Sequence, residues 1–294
     1  MSNPCVIGRI FGGLGNQLFC YAAARRLSLV NGVPLKLDIT SGFQNDKYKR
    51  EYLLDRFNIQ ADIANSSECF MDRFGPTRHR IKFHFNRLLP FNWRTYLFEE
   101  TPRLDTRLLN YRVRKDVYLT GYWQSEEYFK DINDILRNDL RITMSLSSAT
   151  LSAAAKIQRS NSVSLHVRSY SEVPADDGAI ILKPDYYDRA AKVIATRVSA
   201  PHFYCFSDDP GWADSNLCLP YPITIIRCNN GKGSNGAVED LWLMSQCHHH
   251  IIANSTFSWW GAWLNEEPNR VVVGPIAGVL SENKHWLPEK WLKT

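Results

Sequence analysis

No Cys-x-x-Cys pair occurs in this chain, and its seven cysteines, at 5, 20, 69, 205, 218, 228 and 247, are an odd number scattered along it. That excludes a disulfide framework and predicts free thiols in a reducing, cytoplasmic compartment. No run approaches about 18 consecutive apolar residues, so no membrane-spanning helix is expected. The N-terminal MSNPCVIGRIFGGLG lacks a basic segment followed by a long apolar one, which argues against a secretory signal. Asp-x-Asp is absent, which weakens any reading in which a divalent cation bridges a diphosphate. Gly-x-x-x-x-Gly-Lys-Ser/Thr and Gly-x-Ser-x-Gly are absent too, so neither a phosphate-loop NTPase nor a nucleophile elbow is indicated. Charge of one sign is scarce: 35 Lys and Arg against 30 Asp and Glu leave a net +5. That is too mild for a nucleic-acid binder, but it favours an anionic small ligand over a cationic one.

What is present is an ordinary globular composition of 294 residues, 44% apolar and 22% charged. Wholesale disorder is excluded, and at about 100–200 residues per domain there is room for two domains. Cys5 to Phe11 reads as a strand. Gly12, Gly13 and Gly15 follow, then a helix over Asn16 to Val30 capped by Asn31-Gly32, then a strand over Val33 to Ile39. Strand, glycine loop, helix and strand make a βαβ unit, hence a parallel sheet. Residues 40–115 are poorly patterned, apart from the basic stretch Arg78 to Arg87 (RHRIKFHFNR). Val117 to Tyr122 predicts a strand, and Glu126 to about Asn138 a helix. The Ser- and Ala-rich residues 145–162 suggest a boundary near 150, dividing the chain into domains 1–150 and 151–294. In the second half, strands at Ser162–Arg168, His202–Ser207, Ile223–Arg227, His249–Ala253 and Val271–Val273 alternate with helices at Pro184–Arg197, Val238–Cys247 and Phe257–Leu264. That is a second α/β sheet, and ligands of such sheets bind outside the strands' carboxyl ends.

Several residues fall at such ends. Gly13-x-Gly15 before a helix can cradle an anion, although Leu18 occupies the third glycine position of a dinucleotide fingerprint. Equally, it can be only a tight turn. In Ser164 to Arg168 (SLHVR), alternation puts Leu165 and Val167 on one face and His166 and Arg168 on the other. Arg168 stands at the strand end, where burying a guanidinium needs an anionic partner and its fork suits phosphate. Ser207-Asp208-Asp209 is either a turn or a carboxylate acceptor for a guanine edge. Glu239-Asp240 can be simple compensation of a helix dipole. Cys247-His248-His249-His250 is rejected as a zinc site, because neighbouring strand residues point to opposite faces. Asn254-Ser255-Thr256 before a helix is either a cap or a second anion cradle. Trp259, Trp260 and Trp263 read as core or crevice wall.

Taken together, Gly12 to Phe19 (GGLGNQLF), Gly121 to Ser125 (GYWQS), His166 to Arg168 (HVR), Phe206 to Asp209 (FSDD) and Glu239 to Asn265 resemble glycosyltransferase family 11, the α1,2-fucosyltransferases, in its short bacterial form. The resemblance implies an α/β, GT-B-like fold of two facing Rossmann-like domains, the first on the acceptor side and the second binding the donor. It implies inverting, metal-independent transfer of L-fucose from GDP-fucose to a sugar hydroxyl, often the 2-OH of a galactose, in polysaccharide or O-antigen synthesis, with no cofactor. The acceptor is then a galactose-containing glycan, lipid-linked or free, with no nucleic acid. By its composition the Arg78–Arg87 stretch reads first as a solvated helix face, with at most peripheral contact to an anionic membrane as the alternative. Carried over, Arg168 holds the β-phosphate, and His166 supports that strand end or the donor. Asp208 or Asp209 reads the guanine, Ser207 is on the donor side with them, and Glu239 or Asp240 lies near the ribose or base. Ser255, Thr256 and Ser258 meet the diphosphate, Asn254 is also donor-binding, and Gly13, Asn16 and Gln17 face the reaction centre.

One departure stands out. The family commonly reads His-Val-Arg-Arg-Gly-Asp-Tyr, whereas this chain has Ser169 for the second Arg and Ser171 for the Asp. A charged hydrogen bond of the kind lost is worth about 1.5–3 kcal/mol. Another GDP-deoxysugar as donor, or a non-catalytic GDP-sugar or glycan-binding protein, are the alternatives this raises. The acceptor's general base is unassigned, with Asp38 a candidate and Glu126, Glu172, Asp176 and Asp177 others.

Overall fold

Val6–Arg9 (β1) and Leu35–Asp38 (β2) lie parallel with Gly8 opposite Leu37, joined by the helix Leu14–Asn31 (α1). The computed structural model describes residues 3–69, 83–169, 181–229, 233–276 and 283–294. Helix α1 begins two residues before the expected Asn16, because the Gly13 carbonyl already accepts the amides of Asn16 and Gln17 at 2.9 and 3.0 Å. It ends at Gly32, whose φ of 62° turns its N–H back onto the Leu29 and Ser28 carbonyls. Three further strands, Asp62–Ile63 (β3), Tyr96–Phe98 (β4) and Val117–Thr120 (β5), complete a parallel sheet of order β3-β2-β1-β5-β4. The helix expected over Glu126–Asn138 is broken. Two 3-10 turns, Glu126–Tyr128 and Lys130–Ile132, precede Asn133–Asp139 (α2), because Phe129 leaves helical geometry (φ −147°) and is buried along with Tyr128. At the end of α2 the buried Asp139 carboxylate accepts from Tyr21 Oη (2.7 Å) and Arg25 Nε (2.8 Å), tying this segment to α1.

The chain divides into two units, Met1–Thr143 and Met144–Thr294. The Ser- and Ala-rich stretch is not a linker. It contains the helix Ser148–Gln158 (α3), capped by Ser147 and burying Ala154 and Ile157. Then follow Ser162–Val167 (β6), Pro184–Ala195 (α4), His202–Ser207 (β7), Pro210–Asn216 (α5), Ile223–Ile225 (β8), Gly233–Ser245 (α6), His249–Ile251 (β9), Thr256–Leu264 (α7), Val272–Gly274 (β10) and Leu292–Lys293 (β11). The second sheet, also parallel, has the order β11-β10-β9-β6-β7-β8.

Both faces of this sheet are covered, which is why every residue of β6 is buried. Val163, Leu165 and Val167 pack with Tyr186, Tyr187, Ala190 and Ile194 of α4. On the other face Tyr204 and Phe206 pack with Ala154 and Ile157 of α3 and with Leu243 and Met244 of α6. The alternation read from SLHVR holds, but its polar face is not solvated. Ser164 Oγ lies 2.8 Å from His250 Nδ1 and Ser162 Oγ 2.9 Å from His248 Nδ1, so the two serines of this face pair with histidines across the strands. The tryptophans 259, 260 and 263 are buried in α7, with Trp259 Nε1 donating to the Trp286 carbonyl at 2.9 Å.

Each sheet has one switch in strand order, between β1 and β5 and between β6 and β9. Ligands of open α/β sheets bind at such points. The packing of α1 on β1 is tight there: a Cβ on Gly8 would stand 2.8 Å from Ala24 Cβ. Gly8→Val should therefore overpack this contact and cost about 1–3 kcal/mol. Urea unfolding checks this, and an unchanged midpoint would mean that α1 can move off the sheet.

Candidate active site

The carboxyl edge of the first sheet gathers the glycine loop after β1, Asp38 at the end of β2, Glu99 after β4 and Gly121–Gln124 after β5. Gly12 has φ 78°, and a side chain there would meet Asn16 and Tyr122. Gly13 differs. Its φ of −71° suits any residue, and a Cβ on it would meet nothing within 4 Å. The first-turn amides of α1 have no side-chain cap. Gly13 is therefore a place where a ligand can approach bare backbone at a helix N-terminus. Beside it, Asn16 Oδ1 accepts from Gln124 Nε2 at 2.9 Å, and the Tyr122 ring stacks on Phe11 with centroids 4.5 Å apart.

Gln17 does not face a ligand. It is fully buried, its Nε2 donates to the Gly12 and Glu51 carbonyls (2.9 and 2.8 Å), and its Oε1 accepts the Leu53 amide (2.9 Å). Its work is to hold the glycine loop against residues 51–53. Asp38 is likewise sealed. It accepts from the amides of Thr40 and Ser41, from Ser41 Oγ (2.6 Å) and from Tyr118 Oη (2.5 Å). Burial works to raise its pKa, but these hydrogen bonds outweigh burial and hold it below the usual carboxylate range. A buried, stabilised carboxylate of this kind is a poor general base, so the Asp38 candidacy does not survive. Glu126 is half-buried in a 3-10 turn, and Glu172, Asp176 and Asp177 lie outside the described residues, as does Ser171.

Glu99 escaped the sequence reading. Its two oxygens accept the Tyr122 and Trp123 amides at 2.8 and 3.0 Å, and burial pushes its pKa up against their pull. Trp123 adopts φ 55° in this turn, and a Cβ on Gly121 would collide with Glu99 Cβ at 2.5 Å. Glu99 is the positioning residue of the GYWQS turn. Nothing around Glu99-Glu100 in the sequence signals it, since its partners lie 23 and 24 residues away.

At the carboxyl edge of the second sheet, β6 and β7 are paired so that Val167 faces Ser207. The next residues, Arg168 and Asp208, therefore meet: Arg168 Nη1 lies 2.9 Å from Asp208 Oδ2, with the side chains 23% and 13% exposed. Asp208 Oδ1 accepts the Ser169 amide at 2.8 Å. The anion that Arg168 was expected to need is thus supplied by the protein, and both Asp208 oxygens serve to aim residues 168–169. Asp209 caps α5 through the Trp212 amide (2.9 Å), and Ser207 Oγ accepts the Asp209 amide (3.0 Å). Ser169 Oγ and His166 Nδ1 are buried with no hydrogen-bond partner among the described residues. The His166 ring lies 5.6 Å from that of Phe257, in the first turn of α7. Burial, and after it the Arg168 charge, drags His166 down to about 3, against the pull of Asp208, so it is neutral.

Across the switch, Asn254 and Ser255 follow β9. Ser255 Oγ accepts the Phe257 amide at 3.3 Å as the cap of α7, and Thr256 opens the helix half-exposed. Ser258 is turned inward, its Oγ accepting the Ala253 amide (3.1 Å). Glu239 and Asp240 are braces. Buried Glu239 accepts from Ser147 N and Oγ (3.0 and 2.9 Å) and from Thr150 Oγ1 (2.6 Å), while Asp240 accepts from Asn229 Nδ2 (2.7 Å). Glu239 fixes α6 to the start of α3, and Asp240 fixes it to Asn229 after β8. The triple histidine is dispersed: His248 and His250 pair with Ser162 and Ser164, and His249 Nδ1 accepts the Val271 amide at 3.0 Å.

The family model for glycosyl transferase family 11 matches residues 9–276. The chain belongs to glycosyl transferase family 11. It is similar to an α-1,2-colitosyltransferase of Escherichia coli, 31% identical over 98% of both chains. It is also similar to the Escherichia coli O-antigen biosynthesis glycosyltransferase WbnK, 30% identical over 96% of this chain and 97% of that one. Among solved structures, a point mutant of Arabidopsis thaliana FUT1 in complex with GDP matches with a TM-score of 0.55 at 12% identity, over 92% of this chain and 70% of that one. NodZ α-1,6-fucosyltransferase soaked with GDP-fucose matches with 0.52 at 15% identity, over 90% and 93%. These structural likenesses concern the fold, and membership of family 11 makes the chain a glycosyltransferase.

Two outcomes follow from this geometry. Gly13→Ala should leave the thermal midpoint unchanged, since the backbone tolerates it and the space is open, yet lower turnover at least about tenfold if substrate touches that backbone; full activity would remove Gly13 from the site. His166 and His250 are both pulled from 6.5 to about 3, His250 by burial and then by Arg270. The unfolded chain therefore binds more protons as pH falls below 6.5, and stability should drop with acidification by up to about 1.4 kcal/mol per pH unit for each histidine. Between pH 6.5 and 5, where Asp38 stays ionised, a flat unfolding profile would contradict the assignment.

Proposed function

We propose that this glycosyltransferase moves a 6-deoxysugar from its GDP ester to a hydroxyl of a glycan, with inversion and without metal, L-fucose being the leading donor sugar and colitose the next. The observation that carries the reading is the Arg168–Asp208 clamp at the end of β6, one strand from the capped N-terminus of α7. A diphosphate placed there would meet a guanidinium whose direction is set by a carboxylate, together with the positive end of a helix dipole. The E. coli colitosyltransferase, similar over nearly the whole chain, supports a deoxysugar donor and a 1,2 linkage, and WbnK supports an O-antigen glycan as acceptor. A galactose-containing glycan, lipid-linked or free, is the acceptor class proposed. The frame is GT-B-like, with the donor on the second unit and the acceptor on the first. Seven free thiols suit the cytoplasm as its compartment.

In this reading the acceptor oxygen attacks the anomeric carbon in line as the bond to the GDP oxygen breaks. The acceptor's proton passes to solvent, and GDP departs with one more negative charge. Arg168 and the first-turn amides of α7 stabilise that charge where it develops. Asp208 acts through Arg168, and neutral His166 adds no charge of its own. Asn16 and Gly13 would line the acceptor side.

Arg168→Ala should lower the rate of GDP release by about 10²–10³-fold in a protein that still folds, with a lowered thermal midpoint because Asp208 loses its counter-charge. Asp208→Asn, which frees the guanidinium from its anchor, should cost about ten- to a hundredfold, mostly in kcat. Both are read by GDP formation from GDP-fucose and GDP-colitose across a panel of galactosides. No turnover with either donor by the unaltered protein would sink the deoxysugar reading, and GDP binding without turnover on any acceptor would favour a binding protein instead.

A further inference from the structure

Nine large apolar side chains are exposed among the described residues, and four fall within nine positions of the first unit: Phe85 (68% exposed), Leu88 (79%), Leu89 (43%) and Trp93 (70%). Scattered exposed leucines need no explanation, but a cluster does. These side chains are not exposed through slackness. Asn86, at their centre, is buried; its Oδ1 accepts the Thr95 and Tyr96 amides (2.8 and 3.2 Å), and its Nδ2 donates to the Tyr96 carbonyl (2.6 Å), fixing the segment to β4. Arg94 staples the other side, donating from Nε to the Leu89 carbonyl and from Nη2 to the Arg87 carbonyl, both at 3.1 Å, while its Nη1 meets Glu100 at 3.0 Å. The Trp93 amide is held by the Pro90 carbonyl at 2.9 Å. A stapled turn therefore holds four apolar side chains outward.

The surroundings are basic. Residues 83–115 hold seven Lys and Arg against three Asp and Glu, in a chain whose net charge is only +5. Glu100 and Asp105 engage Arg94 and Arg107. Arg87, 5.4 Å over the Phe98 ring, and Lys115 have no carboxylate partner among the described residues. Lys115 shares a groove of about 760 Å³ with Phe85, Leu88 and Leu89. In that groove Glu68 is already paired with Lys36, and Asp116 takes the Cys5 amide.

We propose that this segment, with Phe85, Leu88 and Leu89 around the groove they share with Lys115 and with exposed Arg87 and Trp93 adjoining them in the chain, docks the protein on the surface of an anionic bilayer. The apolar side chains enter the boundary between headgroups and acyl chains, and the two cations meet lipid phosphates. Tryptophan, phenylalanine and leucine intermixed with Arg and Lys are what that boundary selects, whereas the core of a protein interface is depleted of lysine. Among the described residues no helix is long and apolar enough to cross a membrane, so attachment by this segment is peripheral. The basic stretch of the sequence points the same way, although Arg78 to Lys82 lie outside the described residues and the docking segment does not rely on them. The inference does not depend on which sugar the enzyme transfers.

Vesicle flotation tests it with the full chain. Vesicles of phosphatidylcholine and phosphatidylglycerol in about a 2:1 ratio should carry the protein, pure phosphatidylcholine should carry at least about tenfold less, and high salt should reduce the anionic binding. The double variants Leu88→Ser/Trp93→Ser and Arg87→Gln/Lys115→Gln should each lose about tenfold or more of the bound fraction while keeping turnover on a soluble acceptor. Failure of the unaltered protein to float with anionic vesicles overturns the proposal. So does vesicle binding unchanged in both variants, or a concentration-dependent dimer, dissolved by the first variant, in a protein that binds no vesicles. Since flotation reads no chemistry, its failure is distinct from failure of the donor reading.

Discussion

A guanidinium at the end of a strand cannot be left half-buried without an anion, and in this chain that anion is Asp208. The pair exists because β6 and β7 are parallel neighbours in a register that sets Val167 against Ser207, so the next residue of each strand arrives at the same height. A one-residue slip would turn Arg168 to the opposite face and leave two uncompensated charges. Strand register, the aim of Arg168 and the placement of the Ser169 amide are thus one constraint. The edge on which any diphosphate would sit is organised around it.

The same economy explains the fate of the other polar residues picked out as ligands. The family resemblance assigns Glu239, Asp240, Asp209, Ser258 and Gln17 to the donor or the reaction centre, and Asp38 is the base candidate; all are polar and lie near strand ends or helix starts. Yet a sheet covered on both faces has many backbone amides at its edges with no partner in the ladder. Asp209 and Ser255 cap helices, Ser258 takes the amide of Ala253, and Glu239 closes the start of α3. Residues that brace a site and residues that touch its ligand have the same composition. They differ in whether a hydrogen-bonding atom remains turned outward.

What could be read directly from the residues follows that line. The βαβ start, the strand at His202–Ser207 and the helix after Ser255 were legible, because apolar periodicity and capping residues are local. Strands β3 and β4 were not, being two and three residues long and held by pairing with distant strands. The break at Phe129 was not legible either, since burying Tyr128 and Phe129 together overrides helical spacing. The polar face of β6 misleads in a different way. Ser-x-Ser-x-His alternating with Val and Leu has the form of a half-solvated strand, and only the facing His248 and His250, more than eighty residues away, reveal a buried polar seam. Arg168 was identifiable because its need for an anion is a property of the residue; that Asp208 meets the need is a property of the fold.

The charge balance at that edge sharpens what the substitution at 169 means. A diphosphate brings at least two negative charges and gains another as the glycosidic bond breaks. Arg168 is partly compensated by Asp208, His166 is neutral, and Ser169 offers a hydroxyl where family 11 commonly has a second guanidinium. The N-terminus of α7 contributes roughly half a charge. In the proposed reading net positive charge is therefore modest, and stabilisation of the leaving group has to come from direction: one fixed guanidinium and a fixed row of amides. Such a site depends more on the exact seat of its donor than a doubly cationic one does. A small change in the sugar, by shifting the diphosphate against Arg168, then becomes a change in rate rather than only in affinity, and the family's donor preference can alter without any new contact to the sugar itself.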